Sequence, residues 1–416
     1  MLLPQQAEKL ILDLVEPLTA QDTETLPLQA ANGRILADPV TGRLDIPHWD
    51  NSAMDGYAVR HADLLACDAQ PVTLEVVEEI PAGYLPQKTL QPGQAARIFT
   101  GAMLPPGADT IVMQEETRRD GNQVTVLASP KPQAFVQHQA EFYRAGTLLL
   151  PAGIELSAPD IAVIATVQAL QVAVYRRPRV AIFSTGDELV TLDQLATNSL
   201  LQPGQIVDSN QYALAALVAD AGAEPILLGA IPDQPQQIKQ TLLQALQTAD
   251  LILSSGGVSV GDYDYVEQVL AELAADIQIR SVAVKPGKPL TVARFSSPHR
   301  ALYFGLPGNP VSALVSFWRF VQPALRKLSG RAADWQPSFV SGYTAQRLRA
   351  DGKRETYFWG QAVFVNGQLQ FQLAGGSHSS GNLINLAQTN ALAMLPIGQT
   401  QIAAGELVQI MLVRTL

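Results

Sequence analysis

Lys285 and Lys288 stand in Lys285-Pro-Gly-Lys288-Pro289, a stiff turn that holds two ammonium groups close together. Like charges repel, and such a pair becomes favourable when an anion sits between them. Solvated loop lysines are the plainer reading. Three further segments set glycine among hydroxyl, acid and proline residues. They are Ser184-Thr-Gly-Asp187-Glu188, Ser254-Ser-Gly256-Gly257-Val-Ser259-Val-Gly261 running on to Asp264, and Gly305-Leu-Pro307-Gly-Asn-Pro310. Glycine lets backbone amides approach an oxyanion closely, and a following helix N-terminus adds favourable dipole charge. Asp187, Glu188, Asp233 and Asp264 could ligate magnesium through oxygen or serve as a base for water. Taken singly, each is as readily a helix cap or a solvated acid. The glycine loops fit neither the Walker nor the dinucleotide fingerprint.

Two other stretches carry polar groups beside glycine: Asp50-Asn-Ser-Ala-Met-Asp55-Gly-Tyr57 and Phe99-Thr100-Gly-Ala102. A structural turn would explain either alone. The five histidines, His48, His61, His138, His299 and His378, lack metal-ligand spacing. Only His378 sits in a suggestive loop, Gly375-Gly-Ser-His-Ser-Ser-Gly381. The single cysteine, Cys67, excludes an internal disulfide and a thiolate metal cage. An ordinary thiol is the preferred reading over a nucleophile.

The elements that must position these groups follow from periodicity. Ala7, Leu10, Ile11, Leu14, Val15 and Leu18 repeat at helical spacing, and a second helix is expected over Ala30 to Asp38. From Asp45 to about Gln139 short β-like runs alternate with Pro and Gly, which predicts a small, mostly β domain. Ser157-Ala-Pro-Asp160 has capping-box spacing and opens a helix to about Ala169. From Arg179 strands and helices alternate: strand Val180–Phe183, helix Asn210–Ala221, strand Pro225–Leu228, helix Pro235–Gln247, strand Leu251–Leu253, helix Asp264–Leu273 and a long helix Val311–Leu328. That alternation implies a parallel α/β sheet with helices on both faces. Ligands of open α/β sheets bind beyond the carboxyl ends of the strands, where the four lysine, glycine and acid segments fall. Pro337 to Leu416 turns β-rich again, as expected of a barrel or sandwich.

Bulk properties set limits. At 416 residues the chain exceeds one compact core. Hydrophobic residues make up 47%, which excludes a largely disordered chain. A net charge of −10 argues against nucleic acid or an anionic membrane surface as partner. An anionic substrate therefore needs a local basic pocket. The N-terminus has no signal-peptide pattern, and the most apolar stretch, Ile161 to Tyr175, is too interrupted to span a bilayer; a soluble, cytoplasmic protein is expected.

Taken together and in order, these segments resemble the molybdopterin molybdotransferase family, which includes bacterial MoeA and the E domain of gephyrin. The carriers are Asp50-Asn-Ser-Ala-Met-Asp-Gly-Tyr-Ala58, Ile98-Phe-Thr-Gly-Ala102 with Pro106-Gly-Ala-Asp109, Ser184-Thr-Gly-Asp-Glu-Leu189, Ser254 to Asp262, Lys285 to Pro289, and Leu306-Pro-Gly-Asn-Pro-Val-Ser312. The resemblance implies a multidomain fold. A discontinuous elongated helical domain would span 1–44 and 141–176, with an inserted mostly-β domain over 45–140. A molybdopterin-binding α/β domain would span 177–330, and a C-terminal β-barrel 331–416. It implies a homodimer whose cleft combines the α/β domain of one subunit with domains of the other. The implied reaction inserts molybdate into adenylated molybdopterin with release of AMP, assisted by Mg2+. A molybdopterin-adenylylating protein would donate the substrate, and apo-molybdoenzymes or their chaperones would receive the product.

Carried over by position, the implied catalytic residues are Asp55, Thr100, Glu188, Asp233 and Asp264. The implied substrate and anion contacts are Gly256, Gly257, Ser259, Lys285, Lys288, Pro307, Pro310, Ser312 and Arg354, with Asp187, Glu188 and Asp264 as metal ligands. One departure stands out. The family pattern Gly-Arg-x-acid-aromatic-x-Arg ends here in Trp359, within Gly352-Lys-Arg354-Glu-Thr-Tyr-Phe-Trp359. Two alternatives remain at this point: the preceding adenylylation step, whose family carries Gly-Gly-Thr-Gly where this chain has Gly256-Gly-Val-Ser259, and a scaffolding role.

Overall fold

The computed structural model describes residues 1–67, 69–197, 200–257, 265–296 and 300–414. Chain contacts divide it into two compact units. One comprises Met1–Ala37, Ala152–Ser157 and Val172–Leu416; the other comprises Asp38–Pro151 and Ala158–Gln171. The expected multidomain α/β plus β architecture is present.

The larger unit is built on a six-stranded sheet. Its order is Glu224–Ile231, Arg179–Thr185, Leu251–Ser255, Ala301–Leu306, Pro289–Phe295, Asp276–Ser281. The first four strands are parallel, as the alternation predicts. The next two pair antiparallel, a feature the helix–strand alternation does not report because that stretch connects strands without an intervening helix. Burial on both faces makes the central strands continuously apolar. Val180 and Ile182 enter one core with the N-terminal helix, while Ala181 and Phe183 enter another with helices Pro235–Thr248 and Tyr265–Glu272.

The N-terminal helix, Pro4–Leu14, buries Ala7, Ile11 and Leu12. Residues Ala30 to Asp38 do not form the expected helix. A short 3-10 turn, Leu28–Ala30, is followed by Gly33 at φ +72° and by bridges from Ile35 to Glu155 and Leu36 to Val174. Asn-Gly breaks the helical path, and pairing with distant chain then wins over local propensity. The helix Val311–Leu328 is real but composite: Pro310–Ser316 and Gln322–Leu328 flank a π turn, Phe317–Val321. Pro323 lacks an amide and forces such a local rearrangement of the hydrogen-bond ladder. In the C-terminal region Glu355–Val365, Gln368–Leu373, Phe339–Thr344, Leu407–Leu412 and Ala391–Leu395 close into a five-stranded barrel, since the first and last also pair.

The smaller unit holds a second six-stranded sheet of order Thr110–Met113, Gly56–Val59, Gln94–Ile98, Val72–Ile80, Gln123–Val126, Thr117–Asp120. Cys67 is a buried thiol within its core. The helix Ala158–Thr166 groups with this unit and ends early, where Gln168 takes φ +61°. Among the described residues, no helix is long and apolar enough to cross a membrane.

Candidate functional site

Four parallel strands end on one rim, and each delivers a segment singled out from the sequence. Arg179–Thr185 leads to Asp187 and Glu188, and Glu224–Ile231 leads to Asp233. Leu251–Ser255 leads to Gly256 and Gly257, and Ala301–Leu306 leads to Pro307 and Pro310. Amides tie the rim together: Gly186 N donates to Ile231 O (3.1 Å) and Gly256 N to Leu306 O (3.1 Å). A Cβ at Gly256, φ +89°, would lie 2.4 Å from Thr185 O, so the close approach requires glycine. Thr185, Glu188, Asp233, Gly256, Gly257, Pro307 and Pro310 line a cavity of about 570 Å³.

The acids on this rim crowd one another. Asp187 Oδ1 accepts from Asp233 N at 3.2 Å. Burial pushes the Asp233 carboxyl up, and repulsion from Asp187 and Glu188 pushes it further. Among the described residues no set of three or more His, Cys, Asp or Glu side chains is arranged to enclose a metal ion. Magnesium, however, keeps several waters and is held by one or two carboxylates plus substrate phosphates. The mutual repulsion of Asp187, Glu188 and Asp233 is the electrostatic setting that a divalent cation relieves. Ser259 and Asp264 lie outside the described residues.

Lys285, Lys288, Ser312 and Arg354 line an adjoining cavity of about 490 Å³, which shares Pro289 and Asn309 with the first. The two-residue strand Val284–Lys285 pairs with Glu355–Thr356, and Arg354 Nη1 donates to Val284 O (3.4 Å), which brings Lys285 and Arg354 to the same cavity. Lys285 Nζ is 3.1 Å from Asp351 Oδ2. Asp351 is itself held low chiefly by the Lys353 amide and then by Lys285. Lys288 is exposed and has no carboxylate partner among the described residues. Gly287 packs so closely on the helix that a Cβ would meet Ser316 Oγ at 2.8 Å. The barrel loop closes the far side: Val311 N donates to Ser380 O (3.2 Å) and Asn309 Nδ2 to Ser380 Oγ (3.3 Å).

Asp55 and Thr100 are brought together in the smaller unit. Asp55 Oδ1 accepts from the Thr100 amide and hydroxyl, both at 2.8 Å, and these bonds hold its carboxyl low. A Cβ at Gly56 would lie 2.0 Å from Val112 O, so the glycine after Asp55 is required by packing.

Several site residues went unrecognised in the sequence. Asn210 Nδ2 donates to Ser255 Oγ (2.6 Å) and Gly308 O (2.8 Å), and so joins two rim loops. Asp208 accepts from Ser184 Oγ (2.9 Å) and Gln211 N (3.3 Å), and burial pushes its carboxyl up. The sequence signal, Asp208-Ser-Asn210 at a helix start, was readable only as a cap. Arg349 adds a cation to the second cavity from a strand too short to be foreseen.

A parallel α/β domain with glycine, acid and lysine segments on its carboxyl rim belongs to the molybdopterin-binding class, and residues 181–327 match the family model described as a probable molybdopterin binding domain. Residues 3–167 match the MoeA N-terminal region (domain I and II), and 341–413 the MoeA C-terminal region (domain IV). The chain is 62% identical over 399 residues to a molybdopterin molybdenumtransferase of Nostoc sp., covering 95% of this chain and 90% of the relative. It is 36% identical over 396 residues to the enzyme of that name from Haemophilus influenzae, covering 93% of each. Its fold superposes on a crystal structure of the molybdopterin biosynthesis moeA protein from Pyrococcus horikoshii with a TM-score of 0.83 and 29% identity, covering 99% and 100% of the two chains. The chain belongs to the MoeA family of molybdopterin molybdenumtransferases.

Proposed function

We propose that the two adjoining cavities form one transfer site, in which this enzyme moves molybdenum from molybdate onto adenylated molybdopterin and releases AMP. Molybdenum insertion into molybdopterin is the activity of the family to which the chain belongs. The adenylated substrate, the AMP product and the assignment of residues are our reading. One observation carries it: a cavity walled by Lys285, Lys288, Arg349 and Arg354 opens beside one walled by Glu188, Asp233 and the Gly256-Gly257 turn. The cationic side suits a doubly charged oxyanion, which ammonium and guanidinium groups bind through charge-assisted hydrogen bonds. The glycine side suits a phosphate approached by backbone amides, with Pro307, Pro310 and Ser312 framing the passage between them.

In this reading Glu188 or Asp233 takes a proton from the water that attacks phosphorus, the phosphoanhydride P–O bond breaks and AMP leaves, while Lys288 and Arg354 hold the oxyanion where it meets the dithiolene. Asp187, Glu188 and Asp264 would hold Mg2+, which when bound supplies charge neutralisation at the phosphates. Asp55 and Thr100 enter by resemblance, as residues of a homodimer that act on the same substrate. By resemblance also, a molybdopterin-adenylylating protein delivers the substrate in the cytoplasm, and apo-molybdoenzymes or chaperones collect the cofactor. The test is direct. Purified protein given adenylated molybdopterin, Mg2+ and micromolar molybdate is expected to release AMP and activate an apo-molybdoenzyme. Consumption of ATP with accumulation of adenylated pterin would establish the adenylylation step instead.

A further inference from the structure

The lysine cavity contains a histidine that the transfer reading leaves without a role. His378, on the barrel loop, lines it beside Arg349 and Arg354. Its Nε2 lies 2.8 Å from the Ala374 carbonyl oxygen. A carbonyl only accepts, so Nε2 carries the proton in the neutral ring and Nδ1 is an unprotonated acceptor. Nδ1 is buried and has no hydrogen-bond partner. The ring packs on Trp359, with centroids 4.5 Å apart and planes at 46°, and lies 6.4 Å from Phe358. Trp359 lines the same cavity. An indole face attracts a cation.

The charged groups that face this cavity are basic. Lys285, Lys288, Arg349 and Arg354 line the same cavity as His378. No carboxylate lines it; the nearest to its cations, Asp351, is engaged by Lys285. The Tyr357 hydroxyl donates to Glu355 (2.6 Å), which is paired with buried Arg319. A dianion in the cavity offsets most of that positive charge and so favours a proton on the imidazole. We propose that His378 is a proton-coupled residue of the oxyanion site: binding of a doubly charged oxyanion is accompanied by proton uptake on its ring. This rests on the cavity being the molybdate site.

Calorimetric titration of the full chain with sodium molybdate, in buffers of different ionisation enthalpy, measures the protons taken up. For the wild type a fractional uptake near pH 7 is expected, with affinity falling by up to about tenfold per pH unit above histidine's ordinary titration range. In His378→Gln and His378→Asn the uptake should vanish and the pH profile should flatten, since neither side chain titrates. A proton riding on molybdate itself would persist in both variants. Zero uptake by the wild type, or unchanged uptake in the folded variants, overturns the proposal while leaving the cavity's role intact. Failure of the wild type to bind molybdate, or binding unmoved by Lys288→Ala, removes the cavity reading and this inference together.

Discussion

In the proposed site, Lys288 is the residue on which oxyanion binding turns. Lys285 is already engaged by Asp351, whereas Lys288 brings an uncommitted ammonium to the cavity. A hydrogen bond to a charged group is worth about 1.5–3 kcal/mol, so Lys288→Ala should weaken molybdate affinity roughly 10- to 100-fold in a direct binding titration. Asp233 allows a prediction of opposite sign for stability. Burial, Asp187 and Glu188 raise its carboxyl above the ordinary 3.8. A raised carboxyl binds its proton more tightly in the folded chain, so its contribution is favourable below the unfolded value and is lost as pH rises through the raised one. At pH 7 without magnesium, Asp233→Asn should therefore raise the thermal midpoint, and the gain should disappear below about pH 4. Magnesium should stabilise the wild type more than this variant, and the variant should lose AMP release by at least about 100-fold. A lower midpoint in the variant at pH 7 would show that the three acids do not repel in the folded state. Lys285 with Lys288, and Asp187 with Glu188, were legible because each pair lies within four residues of sequence. Asn210 was not, because its partners Ser255 and Gly308 are 45 and 98 residues away.

Elements set the precision of the site. The Gly256 turn combines φ +89° with a Cβ position 2.4 Å from a backbone oxygen, and neither can relax by rotating a side chain. Gly256→Ala should cost about 1–3 kcal/mol, seen as a lower thermal midpoint, and should reduce AMP release. Gly83 also has φ +89° but open space around it, so Gly83→Ala isolates the backbone term and should leave turnover unchanged. Arg319 is the second element-scale device. On the composite helix it pairs with Glu8 of the N-terminal helix and Glu355 of the barrel, while Gln5 Nε2 also reaches Glu355 (3.3 Å). Removing one member of a buried ion set leaves charges uncompensated at about 3–5 kcal/mol. Arg319→Met should lower the urea midpoint accordingly and, because Glu355 adjoins Arg354, weaken molybdate binding as well. The strands carrying these loops were readable from their apolar runs. The π turn, the antiparallel edge and the failed helix at Ala30–Asp38 depend on Pro323, a helix-free connection and long-range bridges, which local periodicity does not record.

At the scale of the molecule, the −10 charge and the cationic cavity are complementary facts: the surface repels anions in general, while the Lys285 turn and the C-terminal region collect four basic side chains in one place. The proposed homodimer makes its own prediction. If Asp55 of one subunit serves the Lys288 cavity of the other, mixing Asp55→Ala and Lys288→Ala proteins under subunit exchange, at molybdate low enough that neither turns over alone, should restore about a quarter of wild-type activity, because that fraction of sites is then intact. Activity that stays at background after exchange would place both residues in the same subunit's site. The central claim is that molybdate binds between Lys285, Lys288 and Arg354, beside the two-glycine turn. Anomalous diffraction at the molybdenum edge from crystals soaked in molybdate tests it most directly. The predicted result is a single strong peak within hydrogen-bonding reach of Lys288 and Arg354. A peak elsewhere on the chain, with that cavity empty at saturating molybdate, would contradict it.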